Sequence, residues 1–276
     1  MLRKLPFYRS VRGLCFGLLF LGLISAVVAT ASAVAQFDTI PEWVVPDFLQ
    51  TVKAVGPPSS TIPVPAKQEI QPYYAEKVVY LTFDDGPDPI ITPLVLQTLK
   101  KYAVPATFFV VGTQIEANPE LLRRINAEGH AIGNHTYNHR YKELYQSPAA
   151  YIGQLEKCDA FIQAISGVKP LISRAPGGTT GSFTSEYWAA LRQEGYKDIG
   201  WNVPSGDASS AKAAQIADNV IAQTKKNSFL WSHAIVLMHD GVGHEETAAA
   251  LPSIIEYFKN EGFEFRPVDL STPPAW

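Results

Sequence analysis

Asp84 and Asp85 stand side by side in Phe83-Asp84-Asp85-Gly86-Pro87. Two adjacent carboxylates repel each other unless a cation is near. One can hold a metal while its neighbour, facing another way, stays free as a base. The same segment is also a strand-ending turn, since Asp, Gly and Pro all favour turns. His135 and His139 lie four residues apart in His135-Thr136-Tyr137-Asn138-His139. On a helix that spacing puts both rings on one face, where they can chelate one metal. Unrelated histidines in a polar loop would look the same. One Asp with two His makes a three-ligand zinc site with a position open to water, the catalytic arrangement.

Arg174 precedes Ala175-Pro176-Gly177-Gly178. A guanidinium there can orient a carboxylate and keep it ionised, or it can be a surface arginine before a turn. The glycines allow backbone N–H groups to approach a ligand closely. His239 lies in the apolar run Leu237-Met238-His239-Asp240. It reads either as a hydrogen-bonded core histidine or as a general acid tuned by a carboxylate. His130, His233 and His244 join no constellation and read as structural or exposed. Cys158 has a mostly apolar, helical neighbourhood, which indicates a packed thiol rather than a nucleophile.

These residues need a scaffold. Apolar, β-rich runs predict strands at 78–83, 106–111, 131–133, 171–173, 196–203, 234–238 and 264–268. Helical spacing predicts helices between them, at 92–102, 184–194, 211–226 and 245–260. Asn118-Pro119 opens a further helix closed by Gly129, and Ser147-Pro148 opens one ending near Gly167. Strands alternating with helices imply a parallel sheet, either an open doubly wound sheet or a closed barrel. No Gly-rich phosphate fingerprint is visible, which weakens a dinucleotide-binding reading. Asp84, Asp85, His135, Arg174, Asp207 and His239 all fall at predicted strand ends, where parallel α/β folds build their sites.

The chain has 276 residues, 46% of them hydrophobic and 18% charged, an ordinary globular composition. Its 23 basic and 26 acidic residues give nothing like the basic face of a nucleic-acid binder. Two cysteines, Cys15 and Cys158, are too few for a disulfide scaffold or a thiolate zinc site. Residues 1–35 read as a signal peptide or, if retained, an N-terminal anchor. Arg3, Lys4, Arg9 and Arg12 precede an apolar run, and Ala33-Val34-Ala35 is a small-residue cleavage signal. Cleavage removes four basic residues and no acid, leaving 19 basic against 26 acidic, net −7. Residues 36–76 form a Pro-rich segment and linker, residues 77–270 the main domain, and 271–276 a tail.

Four motifs in order, Thr82-Phe83-Asp84-Asp85-Gly86-Pro87, His135-Thr136-x-x-His139, Arg174-x-Pro176-Gly177 and Leu237-x-His239, closely resemble the polysaccharide deacetylase family with its NodB-type domain, carbohydrate esterase family 4. The resemblance covers about seven-tenths of the chain. It implies a distorted (β/α) barrel of about seven parallel strands. It implies a divalent metal, zinc first and cobalt, nickel or manganese next, on Asp85, His135 and His139. It implies Asp84 as general base, held charged by Arg174, and His239 as general acid supported by Asp207. The Gly177 N–H, beside Pro176, would stabilise the oxyanion, although relatives commonly carry an aromatic residue at that position. Relatives often have Asp where Pro204 stands and Trp where Ala208 stands, which leaves Trp201 or Leu237 to line the acetyl pocket.

The function implied is hydrolysis of N-acetyl groups on an amino-sugar polymer. Peptidoglycan is the first expectation (N-acetylglucosamine or N-acetylmuramic acid), with chitooligosaccharides and O-acetylated xylan after it. The expected setting is secreted and cell-wall associated, with an N-acetylated glycan as partner. No nucleic acid or protein partner is implied, and a membrane tether only if the leader is retained. The competing readings are a degenerate glycan-binding module and an unrelated metallohydrolase such as a phosphoesterase.

Overall fold

The computed structural model describes residues 76–275; the leader and nearly all of the linker lie outside the described residues. Strand β1, Val78–Asp84, is buried along its whole length. Side chains alternate across a strand, so β1 serves two cores. Val79, Leu81 and Phe83 join a large cluster with the helices. Val78 and Tyr80 join a second cluster with Phe109, Ile172, Ile199, Ile235 and Val268. Thr82 and Asp84 continue this second, inner face, so a polar end tops an apolar stack. Burial on both faces is what a parallel sheet requires of its strands.

The remaining strands are β2 (Thr107–Val110), β3 (Ala131–Asn134), β4 (Ile172–Ser173), β5 (Lys197–Asp198), β6 (Val203–Pro204), β7 (Ala234–His239) and β8 (Glu264–Phe265). Their order is β5-β4-β3-β2-β1-β7-β6, and every pairing is parallel. The outermost strands, β5 and β6, are joined only by residues 199–202. A link that short makes the sheet curl until its ends nearly meet, which is the distorted barrel expected. The eighth strand, β8, lies beside Val78 and Val79, while β2 pairs with β1 at Thr82 to Asp84.

One expected strand is corrected. Residues 196–203 do not run as a single strand, because Ile199 to Asn202 cross the gap between the sheet's two ends. Asn202 pins that crossing through its side chain, donating to the His233 carbonyl at 3.0 Å and accepting from Ile235 N–H at 2.8 Å.

The helices are α1 (Ile91–Tyr102), α2 (Gly112–Ala117), α3 (Pro119–Ala127), α4 (Tyr141–Leu144), α5 (Pro148–Ser166), α6 (Ser185–Gln193), α7 (Ala213–Lys226) and α8 (Glu245–Asn260). Helix α5 opens as its sequence predicts: Ser147 Oγ accepts from Ala150 N–H at 3.1 Å, and Pro148 sits in the first turn. Gly167 closes it at φ 80°. Asn118 occupies the N-cap position of α3 but caps nothing with its side chain. Its Nδ2 instead donates to the Pro87 carbonyl at 3.1 Å, tying α3 to the turn after β1. Cys158 is buried, and burial pushes its thiol well up, as a packed core thiol requires. No helix among the described residues is long and apolar enough to cross a membrane.

Candidate active site

Asp84 ends β1 on the inner face, and Asp85 turns away from it at φ 75°, a left-handed conformation uncommon outside glycine. The two carboxylates therefore face different partners. A Cβ on Gly86 would run into the Asp240 carboxylate, so only glycine fits the next position.

Arg174, just past β4, is fully buried. Its Nη1 donates to Asp84 Oδ1 at 2.9 Å and to Thr82 Oγ1 at 2.7 Å. Its Nε and Nη2 donate to the Ile199 and Gly200 carbonyls at 2.8 and 3.0 Å. The guanidinium thus bridges β1 and the crossing segment inside the barrel, with its carbon 4.2 Å from the centre of the Phe109 ring. Burial raises the Asp84 carboxyl above its ordinary value; Arg174 opposes that rise and His239 helps it to do so. The result is a carboxylate with more affinity for a proton than an exposed one, yet held in one orientation.

The histidine pair comes together on a loop, the second of the two arrangements its spacing left open. His135 to His139 are not helical; Thr136 and His139 adopt φ 71° and 54°, and the loop folds back on itself. Thr136 N–H donates to Asn134 Oδ1 at 2.8 Å, which holds the first of these turns. His135 Nε2 and His139 Nε2 lie 3.5 and 3.3 Å from the same Asp85 oxygen, Oδ1. That oxygen is buried with no hydrogen-bond partner. His135 Nδ1 lies 2.8 Å from the Arg174 carbonyl, which can only accept, so Nδ1 carries the proton and Nε2 is bare. Burial pushes His135 down to about 3, so the ring is neutral. An orphaned carboxylate oxygen facing two imidazole nitrogens, one fixed bare by a backbone hydrogen bond, fits a divalent cation that takes nitrogen and oxygen donors.

His239 ends β7 across the site. Its Nδ1 is 2.9 Å from Asp207 Oδ1, and its N–H donates to Asp207 Oδ2 at 2.7 Å. Thr247 Oγ1 donates to the same Oδ2 at 2.8 Å. Burial works against the imidazolium, but the Asp207 hydrogen bond and the charges of Asp84, Asp207 and Asp85 overcome it and push His239 up to about 9. Burial would likewise raise Asp207, but its bonds to His239 and Thr247 bring it below its ordinary value.

His244, which the sequence leaves outside every constellation, stacks on His239 with ring centres 4.9 Å apart and planes 20° apart. Its Nδ1 is 3.8 Å from Asp207 Oδ2 and has no hydrogen-bond partner. Asp207, His239 and His244 could be taken for a second metal group. Near-parallel rings point their in-plane lone pairs side by side instead of converging, and Asp207 already accepts three hydrogen bonds. This is a supported carboxylate–histidine pair.

Two more carboxylates were missed. Asp198, at the end of β5, lies in the field of Arg174 and Asp84, and burial pushes it up to about 7. Asp240, buried behind the Asp84–Asp85 turn, accepts from Thr92 Oγ1 at 2.5 Å, and burial pushes it up to about 7 as well. Asp240 follows His239 directly and was visible as a neighbour; Asp198 carried no spacing signal.

The remaining expected residues border this site. Gly177 and Gly178 turn at φ 72° and 80°, and among the described residues the Gly177 N–H meets no acceptor. The Pro176 carbonyl accepts from Tyr145 Oη at 2.6 Å. Leu237 shares a strand face with His239, and Trp201 packs beneath Gly178. Pro204 and Ala208 are exposed, and neither disturbs the Asp207–His239 pair.

The polysaccharide deacetylase family profile matches residues 72–199, ending before Asp207 and His239. A peptidoglycan-N-acetylglucosamine deacetylase of Bacillus cereus is 35% identical over 195 residues, 68% of each chain. A chitooligosaccharide deacetylase of Bradyrhizobium is 34% identical over 202 residues, 69% of this chain and 88% of that one. The crystal structure of the polysaccharide deacetylase Bc1974 from Bacillus cereus superposes with a TM-score of 0.66 at 33% identity, covering 72% of this chain and 95% of that one. This chain belongs to the polysaccharide deacetylase family, a family of hydrolases, and has its NodB-type fold.

Proposed function

We propose that this protein removes N-acetyl groups from the amino sugars of peptidoglycan, outside the cytoplasm, and that residues 1–35 direct its export. The observation that carries the reaction is Asp85 Oδ1, buried without a hydrogen-bond partner between two imidazole nitrogens. Asp85, His135 and His139 would hold the metal, zinc being the first expectation for this donor set. When bound, the cation supplies Lewis acidity to the acetyl carbonyl and to a water molecule.

The chain's own residues do the rest. Asp84, anchored by Arg174 through Oδ1, takes the proton of the attacking water; its raised proton affinity suits that task. The Gly177 N–H donates to the oxyanion as the carbonyl becomes tetrahedral. His239, charged across the neutral range and oriented by Asp207, gives a proton to the departing amine nitrogen. Acetate and a free amino sugar leave. Leu237 and Trp201 line the side on which the acetyl methyl would rest.

Peptidoglycan is favoured by the similarity to the Bacillus cereus enzyme. The comparable similarity to a chitooligosaccharide deacetylase supports N-acetylglucosamine oligomers as a second reading. Mass spectrometry of muropeptides, after incubation of peptidoglycan with the zinc-loaded full chain, tests both. Loss of one acetyl group per disaccharide, absent with Asp84→Asn, is expected. Turnover of chitooligosaccharides alone selects the second reading, and turnover of neither refutes both.

A further inference from the structure

Tyr141 opens α4 and is 51% exposed, so one face of its ring is open to solvent. Its ring stands edge-on to His139, with centres 5.4 Å apart and planes at 84°. Its far side presses on the turn after Arg174. A Cβ built on Gly177 would lie 2.9 Å from both Tyr141 Cε1 and its hydroxyl oxygen. Gly177 also turns at φ 72°, where a side chain is strained whatever the space. The ring therefore occupies the volume that a residue-177 side chain would claim. Tyr145, four residues on, locks the same turn from below through its bond to the Pro176 carbonyl. The other exposed aromatic rings among the described residues, Trp188 and Phe229, make no ring contact with either histidine of the triad.

We propose that Tyr141 is the sugar platform of this site: its exposed face stacks on the pyranose whose acetyl group enters the metal triad, standing where Gly177 leaves the wall open. This rests on the reading of the protein as a glycan N-deacetylase. The chemistry is that of an aromatic face on a sugar. A pyranose has an apolar face of C–H bonds and a rim of hydroxyls, and a tyrosine offers a flat apolar ring with a hydroxyl at its edge. The edge-on contact with His139 sets the platform's height relative to the reacting carbonyl. Tyr141 is thus a specificity-determining residue and has no part in proton transfer.

The test uses the zinc-loaded full chain with an N-acetylglucosamine tetramer, followed by acetate release and, separately, by calorimetric binding. Tyr141→Ala is expected to raise KM about 3- to 10-fold with kcat within about twofold, and to weaken binding by the same factor, as loss of one stacked ring predicts. Tyr141→Phe keeps the face and restores most of the KM. A fall in kcat with KM unchanged would make Tyr141 a prop for His139 and overturn the proposal. Equal loss in the Ala and Phe variants would overturn it too. A parent chain that neither binds nor turns over the tetramer or peptidoglycan refutes the deacetylase reading itself, and the platform falls with it; a parent that does both, with Tyr141→Ala indistinguishable from it, refutes the platform alone.

Discussion

The site holds two groups of identical composition, each one aspartate with two histidines. In the first, Asp85 Oδ1 is buried and unpartnered, and two Nε2 atoms face it at 3.5 and 3.3 Å. In the second, Asp207 accepts from His239 N–H, His239 Nδ1 and Thr247 Oγ1, and the two rings lie almost parallel. The same residue types therefore leave an unsatisfied carboxylate oxygen between two imidazoles in one place and a saturated carboxylate paired with one imidazole in the other. What separates them is hydrogen-bond saturation and ring direction. An unsatisfied carboxylate oxygen is costly when buried and asks for a cation; a saturated one spends its charge on the imidazole beside it.

The largest test removes the first group. Asp85→Ala or His139→Ala should abolish stoichiometric metal binding and lower kcat by about a thousandfold or more, the scale of losing several kcal/mol of charge stabilisation. Metal content by atomic absorption, measured with the rate, checks it. A variant that keeps its metal would break the assignment of the first group.

Asp207→Asn comes next. Metal content should stay at the parent level while kcat falls about 100- to 10,000-fold, the range of a general acid's contribution. If Asp207→Asn also costs a metal equivalent, the second group is a metal site and the contrast collapses. Titration of the parent with excess zinc makes the same point from the other side: one equivalent is expected.

The third test reads the second group through stability. His239 is raised from about 6.5 to about 9 in the fold. A raised histidine stabilises fully below its unfolded value and loses that contribution as pH rises through the folded one. The Tm deficit of metal-free Asp207→Asn against the parent should be largest near pH 6, on the order of 3 °C or more, and should close as pH passes 9. A deficit that widens with pH would reverse the sign of the coupling.

Much of this was legible in the sequence, and the failures have physical causes. Strand β1 and its polar end are visible because alternating inner and outer burial leaves a continuous apolar run ending in Asp84. The Asp207–His239 pair follows from the family resemblance, and the structure brings the two side chains together. The spacing of His135 and His139 left helix and loop open, and it is a loop, because positive φ at Thr136 and His139 makes a left-handed fold-back that non-glycine residues seldom announce. The single strand read at 196–203 is two, because an apolar stretch that crosses the barrel gap looks like one that stays in the sheet. His244 was invisible because its role depends on a loop returning over His239, a contact with no periodicity.

That residue supplies the smallest test. Burial lowers His244, and the charge on His239 lowers it further, so a neutral ring lies over an imidazolium. The face of a neutral aromatic ring attracts a cation by about 0.5–1 kcal/mol at a site of this exposure. His244→Ala should therefore move the basic limb of the kcat–pH profile down by about half a unit and cost kcat a few-fold, with metal content unchanged. His244→Phe keeps a ring over His239 and should move the limb less. The ordering carries the argument: Asp207 holds His239 by hydrogen bonds and charge, whereas His244 only covers its face. A loss from His244→Ala as large as that from Asp207→Asn would mean that the free Nδ1 of His244 takes part in the proton's path, and the second group would then be a relay of two histidines sharing one carboxylate.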